Sequence, residues 1–168
     1  MKKKVLIILV IGLLIMAVAA LVIFVLIHDK KNAFSDIQKK VGFTIFAPDK
    51  NNKEWLLDNR SVIYDSGAGV LSYRIHRPNG SNTIVVSEQA TPDPFTDVPN
   101  YSSIFFSKLN EYQELTIPLG NLILTHPTEL NGGQSAVMNV RGTLMFLHPN
   151  TNLTDDNWKD VFSILQTL

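Results

Sequence analysis

The sequence contains no cysteine and no excess of charge of either sign. The first absence excludes disulfide bonds, thiolate catalysis, cysteine-type zinc sites and a lipid anchor on an N-terminal cysteine. Residues 29–168 carry 12 Lys and Arg against 15 Asp and Glu, a net charge of −3. A nucleic-acid-binding protein normally has a basic face, so no nucleic-acid partner is expected. The low charge and ordinary apolar content of these residues also argue against disorder.

The common chemical motifs are absent as well. There is no phosphate-binding G-x-x-x-x-G-K-[ST], no G-x-G-x-x-G that opens a helix, no EF-hand loop and no G-x-S-x-G around a serine. The histidines form no H-x-x-x-H or H-x-H pair that would suggest a metal site; they are His28, His76, His126 and His148. The sequence therefore predicts no catalytic, cofactor-binding or metal-ligating residues, and no cofactor.

What the chain does contain is one long uncharged segment. The 23 residues Val5–Ile27 carry no charge, and all but Gly12 are apolar. As a helix they would span about 34 Å, enough to cross a bilayer core of about 30 Å. A cleaved signal peptide is the alternative, because Ala17–Ala19 resembles a cleavage site. Cleavage there would leave a bare apolar end in water, so we predict an uncleaved transmembrane helix with the bilayer as a partner.

The flanking charges orient this helix. Lys2, Lys3 and Lys4 precede it, so the positive-inside rule places the N-terminus in the cytoplasm. The prediction is a single-pass protein of the cell membrane with a cytoplasmic tail at 1–4 and a transmembrane helix at 5–27. A juxtamembrane helix or stalk at 28–42 then leads to an extracytoplasmic domain at 43–168.

Alternating apolar residues and tight turns predict strands in that domain. Residues 70–77 and 83–89 form the clearest hairpin, because Pro78–Ser81 contains an Asn-Gly turn. Further strands are predicted at 43–47, 61–65, 114–118, 121–125, 135–141 and 143–148. Residues 91–99 hold three prolines and are predicted to form a loop.

Helical patterns flank and interrupt these strands. Helices are expected at 32–41, from Asn100 to Tyr112, and from Thr154 to the C-terminus, where Thr154 caps a stripe of Trp158, Val161, Phe162 and Leu165. Consecutive strands with short turns favour an antiparallel sheet. The predicted class is α+β: a curved antiparallel sheet of about 6–8 strands, covered by one or two helices that include the C-terminal one.

One group of residues suggests binding. Phe95, Tyr101, Phe105 and Phe106 lie near the proline-rich loop. They either belong to the core or form the lip of an apolar groove for a lipid, peptide or protein. Nothing in the sequence decides between the two.

The pattern as a whole resembles small bacterial single-pass membrane proteins. The features that carry the resemblance are the N-terminal membrane helix, the opening Val41–Pro48, the hairpin ending at Ile84–Gln89, the stretch Gly142–Phe146, and the C-terminal helix with Trp158. It is similar to the uncharacterised extracytoplasmic domains found behind anti-sigma-factor-like anchors. The resemblance implies an α+β envelope domain and no particular functional residue.

We therefore expect a non-catalytic binding or scaffold module of the cell envelope. An envelope hydrolase is the first alternative, and it would need a Ser–His or carboxylate pair within hydrogen-bond reach. Asp93 and Asp97 share one loop, but acidic loops of this kind are usually only solvated. An accessory subunit of a membrane complex is the second alternative.

Overall fold

The computed structural model describes residues 34–108, 111–125 and 134–168. The chain divides into two units, Met1–Ser35 and Asp36–Leu168, and the description that follows concerns the second. The predicted transmembrane helix at 5–27 lies outside the described residues. Within the described ranges, no helix has both the length and the apolar character needed to cross a bilayer.

The elements follow in the order α1 (Ser35–Gln38), β1 (Phe46–Pro48), β2 (Leu56–Asp65), β3 (Val70–His76), β4 (Thr83–Ala90), α2 (Pro94–Asp97), α3 (Tyr101–Ser107), β5 (Glu111–Ile117), β6 (Gly120–Thr125), β7 (Ser135–Val140), β8 (Thr143–Pro149), α4 (Asp155–Ile164) and β9 (Leu165–Thr167). Seven strands form one antiparallel sheet in the order β2-β3-β4-β8-β7-β6-β5. The predicted class, an antiparallel sheet of about seven strands with a few helices, is confirmed.

Two strand meanders join to make this sheet. The chain runs through β2, β3 and β4, crosses to the far edge at β5, and returns through β6 and β7 to β8, which pairs with β4. The predicted hairpin at 70–77 and 83–89 is the β3–β4 pair, with Ile75 opposite Ile84. Gly80 has a φ of +69°, the left-handed conformation that its Asn-Gly turn predicts.

One face of the sheet, here called the inner face, is apolar across its whole width. The register of the paired strands from β3 to β5 brings one set of side chains to this face. All of them are buried: Leu71, Tyr73, Ile75, Ile84, Val86, Glu88, Met145, Leu147, Ala136, Met138, Leu122, Leu124, Leu115 and Ile117. Glu88 is the one acidic or basic residue among them.

The opposite, outer face differs between its two halves. On β2–β4 it is polar, and it carries the exposed apolar residues Ile63 and Val85. On β6–β8 it buries Ile123, Val137 and Leu144. The long connection from β4 to β5 begins at this second half, where Thr91 Oγ1 donates to Asn139 Oδ1 at 2.6 Å.

The C-terminal helix has the predicted cap and three of the four residues of the predicted stripe; the fourth, Leu165, lies just beyond the helix in β9. Thr154 Oγ1 accepts a hydrogen bond from the Asn157 N–H at 3.3 Å, and the helix buries Trp158, Val161, Phe162 and Ile164. The Trp158 indole donates to Gln134 Oε1 at 2.9 Å.

The predicted end of that helix is wrong. We expected it to run to the C-terminus, but it ends at Ile164, and Leu165–Thr167 forms β9, which pairs with β1 in a separate two-stranded sheet. The N–H of Leu168 donates to Ile45 O at 3.1 Å, and the N–H of Asp49 donates to Ile164 O at 2.9 Å. A strand partner more than a hundred residues away overrides the local helical pattern.

Other predicted boundaries also move. The helix expected over 32–41 is only the four residues of α1 among those described, and the one expected to reach Tyr112 ends at Ser107, because Tyr112 already belongs to β5. The loop predicted at 91–99 contains α2, whose first residue is Pro94; proline fits the first turn of a helix, where its missing N–H has no partner to lose. The strand expected at 43–47 is β1, which covers only Phe46–Pro48.

Candidate functional site

A buried carboxyl group lies on the inner face of the central strands. Glu88 is completely buried, as are Tyr73 on β3 and Phe46 on β1. The N–H of Phe46 donates to Glu88 Oε2 at 3.1 Å. The Tyr73 hydroxyl lies 2.9 Å from Glu88 Oε1 and 2.5 Å from Phe46 O. These three residues, which we call the Glu88 network, tie the first strand to the middle of the sheet.

The geometry of the network indicates that the carboxyl group is protonated. A hydroxyl has one proton, and the shorter contact of Tyr73 directs it to Phe46 O. The 2.9 Å contact then needs its proton from Glu88, which completes a closed ring of three hydrogen bonds with each donor used once. Burial likewise raises the pKa of Glu88 from 4.5 to about 8, although the hydrogen bonds that Phe46 and Tyr73 can donate to the ionised carboxylate oppose this rise.

The Glu88 network is suited to holding the fold together. All three residues are inaccessible to a substrate, and a ring in which every polar group is satisfied stabilises a single core arrangement. Thr143 reinforces it, because its hydroxyl donates to Thr44 O at 2.6 Å next to the same strand. The network therefore locks the segment 44–48 onto the sheet.

A different kind of surface lies on the connection between β4 and β5. The structure brings the predicted aromatic residues together: the Phe95 ring centroid is 5.2 Å from that of Tyr101, 5.0 Å from that of Phe105 and 6.1 Å from that of Phe106. None of the four is fully buried, and none is fully exposed. With Val98 and Ile104, which are 47% and 48% exposed, they form what we call the aromatic surface.

The local sequence explains why two short helices converge there. Pro94 begins α2, and the N–H of Val98 closes that helix on Pro94 O at 3.2 Å. Asn100 then adopts a φ of +61°, in the left-handed region that asparagine tolerates better than most residues. The chain reverses at this point, so that Phe95 of α2 contacts both Tyr101 and Phe105 of α3.

One of the histidines forms a Ser–His pair. Ser135 Oγ lies 2.8 Å from His148 Nδ1 on neighbouring strands β7 and β8. Burial lowers the pKa of His148, so the ring is neutral at neutral pH, as a general base must be. In the described part of the chain, no carboxylate contacts this imidazole to orient it, and Ser135 lies on a regular strand.

The remaining candidates are not brought together. His76 Nδ1 lies 2.9 Å from Arg77 O, and His28 and His126 fall outside the described residues. Across residues 34–108, 111–125 and 134–168, no three side chains of the metal-ligating types form a group. Asp97 accepts a hydrogen bond from Thr96 at 2.8 Å, an ordinary loop contact.

Reasoning from sequence missed the Glu88 network, although a signal was present. Alternation along β4 puts Glu88 on the same face as Ile84 and Val86, and a carboxyl group on an apolar face is rarely buried without a partner. Identifying the partners required the register that sets Tyr73 diagonally across from it.

Comparison of the chain with protein-family models, with curated proteins and with solved structures finds no match.

Proposed function

We propose that this protein is a membrane-anchored, extracytoplasmic binding or scaffold module of the cell envelope that performs no catalysis. In this proposal residues 5–27 form the transmembrane helix, the sheet is curved, and α4 covers its inner face. The aromatic surface is the binding element.

The partial exposure of the aromatic surface carries this proposal. Val98 and Ile104 keep about half of their side-chain surface in contact with solvent, next to four aromatic rings that are themselves only half-buried. Rings and branched aliphatic side chains that served only the core would be buried, as Trp55 and Trp158 are. Several partly exposed apolar side chains gathered in one short segment, unlike single scattered ones, favour an interaction site.

Because the chain has no cysteine, its topology can be tested with single introduced thiols. Ser81→Cys places a thiol on the exposed turn of the β3–β4 hairpin, and Lys3→Cys places one on the N-terminal tail. Intact cells are treated with a membrane-impermeant maleimide. We expect the Ser81→Cys variant to be labelled on intact cells and the Lys3→Cys variant only after lysis. The reverse pattern would overturn the extracytoplasmic location.

Binding is tested by photo-crosslinking in native membranes. A benzophenone maleimide is attached to Ser103→Cys, next to Ile104 on α3, or to Ser81→Cys as the control. We expect lipid, peptide or protein adducts from position 103 that decrease sharply when Val98→Ser and Ile104→Ser are added. Equal adduct yields at positions 103 and 81 would rule out the aromatic surface as the binding element.

The Ser135–His148 pair supports a second candidate, an envelope hydrolase. The 2.8 Å contact and the lowered pKa of His148 would allow proton transfer from the serine to the imidazole. Labelling by a fluorophosphonate probe, lost in Ser135→Ala and in His148→Ala, would favour the hydrolase over a non-catalytic module. Absence of labelling in the wild-type chain would remove it.

A further inference from the structure

The aromatic surface offers a partner little charge to recognise. The 14 residues of the segment 94–107 include one charged residue, Asp97. Two of its hydroxyl groups donate hydrogen bonds to nearby main-chain oxygens: Thr96 Oγ1 donates to Asp93 O at 2.8 Å, and Ser107 Oγ donates to Ile104 O at 2.9 Å. The segment also has uncharged polar side chains, among them Asn100, Ser102 and Ser103, but protein interfaces use charged pairs to fix orientation, and Asp97 is the one residue here that can form them.

What the segment does present is suited to the boundary between lipid and water. Tyrosine is enriched where apolar chains meet polar headgroups, and helices that lie in that boundary bury phenylalanine and aliphatic side chains in it. The rings of Phe95, Tyr101 and Phe105 contact one another, and Val98 and Ile104 are the most exposed large apolar residues of the segment. Because Asp97 is the sole charged group, little charge has to be desolvated when the segment enters that boundary.

The length of the chain brings the bilayer within reach. Six residues, 28–33, separate the apolar run 5–27 from the first described residue, Phe34. Fully extended, they cover at most about 25 Å, less than the diameter of a domain of this size. A domain tethered so closely is held near the bilayer, so any exposed apolar side chains that face the bilayer meet lipid at a high effective concentration, and weak insertion of a few of them is sufficient.

We infer that the partner of the aromatic surface is the lipid headgroup–acyl boundary of the bilayer that the protein's own N-terminal helix crosses. This inference rests on the proposed function, because it needs residues 5–27 as an anchor and the aromatic surface as the binding element. Insertion of Val98, Ile104 and the neighbouring rings holds the domain against the membrane, and its strength follows the apolar area that leaves water.

The test uses the full chain in phosphatidylcholine vesicles. An environment-sensitive fluorophore (NBD) is attached to Ser103→Cys or, as a control, to Ser81→Cys in the exposed β3–β4 hairpin turn. Vesicles are prepared with ordinary or with brominated phosphatidylcholine. We expect the label at 103 to show blue-shifted emission and to be quenched by the brominated lipid, and the label at 81 to show neither effect. Adding Val98→Ser and Ile104→Ser should lower the inserted-to-free ratio about tenfold.

A matched pair of substitutions controls for general loss of apolar surface. Ile63→Ser and Val85→Ser remove exposed aliphatic side chains, 64% and 39% exposed, from the outer face of the sheet. They should leave quenching at 103 unchanged; an equal loss in both double variants would overturn the inference.

The remaining outcomes separate the inference from the proposal on which it rests. A blue shift at 103 without quenching by brominated lipid would mean that the surface is covered by a second copy of the chain, which overturns lipid contact but retains a binding surface. Solvent-like emission at 103 in vesicles, together with protein adducts in native membranes, would also overturn lipid contact and leave the proposed function standing. Solvent-like emission and no adducts at all would overturn both.

Discussion

The Glu88 network and the aromatic surface differ in which side chains they bury: the network buries a polar one, and the surface leaves apolar ones partly exposed. The first buries a carboxyl group completely among apolar side chains and satisfies each of its polar atoms. The second leaves rings and aliphatic side chains half in water on two short helices. In the Glu88 network a polar group is removed from water, and its hydrogen bonds fix the position of β1. In the aromatic surface, apolar side chains stay partly exposed to solvent after folding.

This difference indicates which region holds the fold and which is available for binding. A buried polar group is tolerated when its hydrogen bonds are complete, and its removal then leaves unpaired partners behind. Exposed apolar side chains add little to the stability of the domain, so they can be exchanged without unfolding it. The predictions below change one of these two regions or, in one case, an arginine outside both, and measure the unfolding of the full chain in detergent by near-ultraviolet circular dichroism, because Trp55 and Trp158 are both fully buried in the domain.

The largest effect should be on the pH dependence of stability. Burial raises the pKa of Glu88 to about 8 in the folded chain, whereas in the unfolded chain it stays near 4.5. Between these values the folded state holds the extra proton, so the free energy of unfolding should fall as the pH rises from about 4.5 to 8, by roughly 5 kcal/mol in total.

Glu88→Gln isolates this contribution from other titrating groups. An amide can donate to the Tyr73 oxygen and accept from the Phe46 N–H, as the protonated acid does, but it cannot ionise. The stability of the wild type relative to Glu88→Gln should therefore decrease with pH over this range. A difference that is the same at pH 5 and at pH 8.5 would show that Glu88 does not titrate with a raised pKa.

Removing the carboxyl group altogether should be the next largest change. Glu88→Ala opens a cavity and leaves the Phe46 N–H without its acceptor, so we expect a loss of about 3 kcal/mol in the free energy of unfolding at pH 6. Ser87→Ala, one residue earlier on β4 and half-buried on the outer face, should lose less than about 1 kcal/mol. Similar losses in the two variants would contradict the structural role of the network.

Arg77 connects the segment before β2 with helix α4, and replacing it should lower the free energy of unfolding by less than Glu88→Ala does. Its guanidinium lies 3.1 Å from Glu54 and 3.5 Å from Asp160, and its Cζ is 4.6 Å from the Trp55 ring centroid. We expect Arg77→Ala to lose about 2 kcal/mol, because the side chain is largely buried and several contacts disappear together.

The matched control for that substitution is Arg74→Ala. Arg74 makes one exposed ion pair, at 3.3 Å to Asp58, and such pairs contribute under about 1 kcal/mol. If Arg74→Ala proved as damaging as Arg77→Ala, the ion pairs would matter more than the position of Arg77 against Trp55.

The smallest effect on stability is expected at the aromatic surface. Val98→Ser with Ile104→Ser should change the free energy of unfolding by less than about 0.5 kcal/mol, while removing the adducts at position 103 that the proposed function predicts. Val86→Ser, at a fully buried position on the inner face, should lose about 3 kcal/mol. A comparably large loss in the double variant would place Val98 and Ile104 in the core and end the contrast between the two regions.

Local sequence patterns were sufficient to locate every strand except β9, although β1 and β2 have other bounds than predicted. Residues 70–76 and 83–90 form the predicted hairpin because alternation and an Asn-Gly turn are both local signals. Thr154 caps α4 as predicted, since capping depends on residues within one helical turn. The aromatic residues were identified as a group, and whether they lie in the core or at the surface is answered by their half-exposed rings.

Long-range pairing could not be obtained in this way. The helical pattern of residues 154–168 continues to the end of the chain, yet Leu165–Thr167 leaves the helix to pair with Phe46–Pro48. Ser135 and His148 are neighbours only because β7 and β8 pair in one particular register. A pattern in one segment contains no information about the segment that competes for its hydrogen bonds.

The sequence by itself determined the class of fold, the absence of cysteine chemistry and the uncharged run Val5–Ile27, because composition and period are properties of neighbouring residues. The tertiary structure alone decided that Glu88 meets Tyr73 and Phe46, that β9 replaces the last turn of the helix, and that Phe95 contacts Tyr101 and Phe105. Each of these depends on register or on a chain reversal, which bring together residues that no local pattern connects.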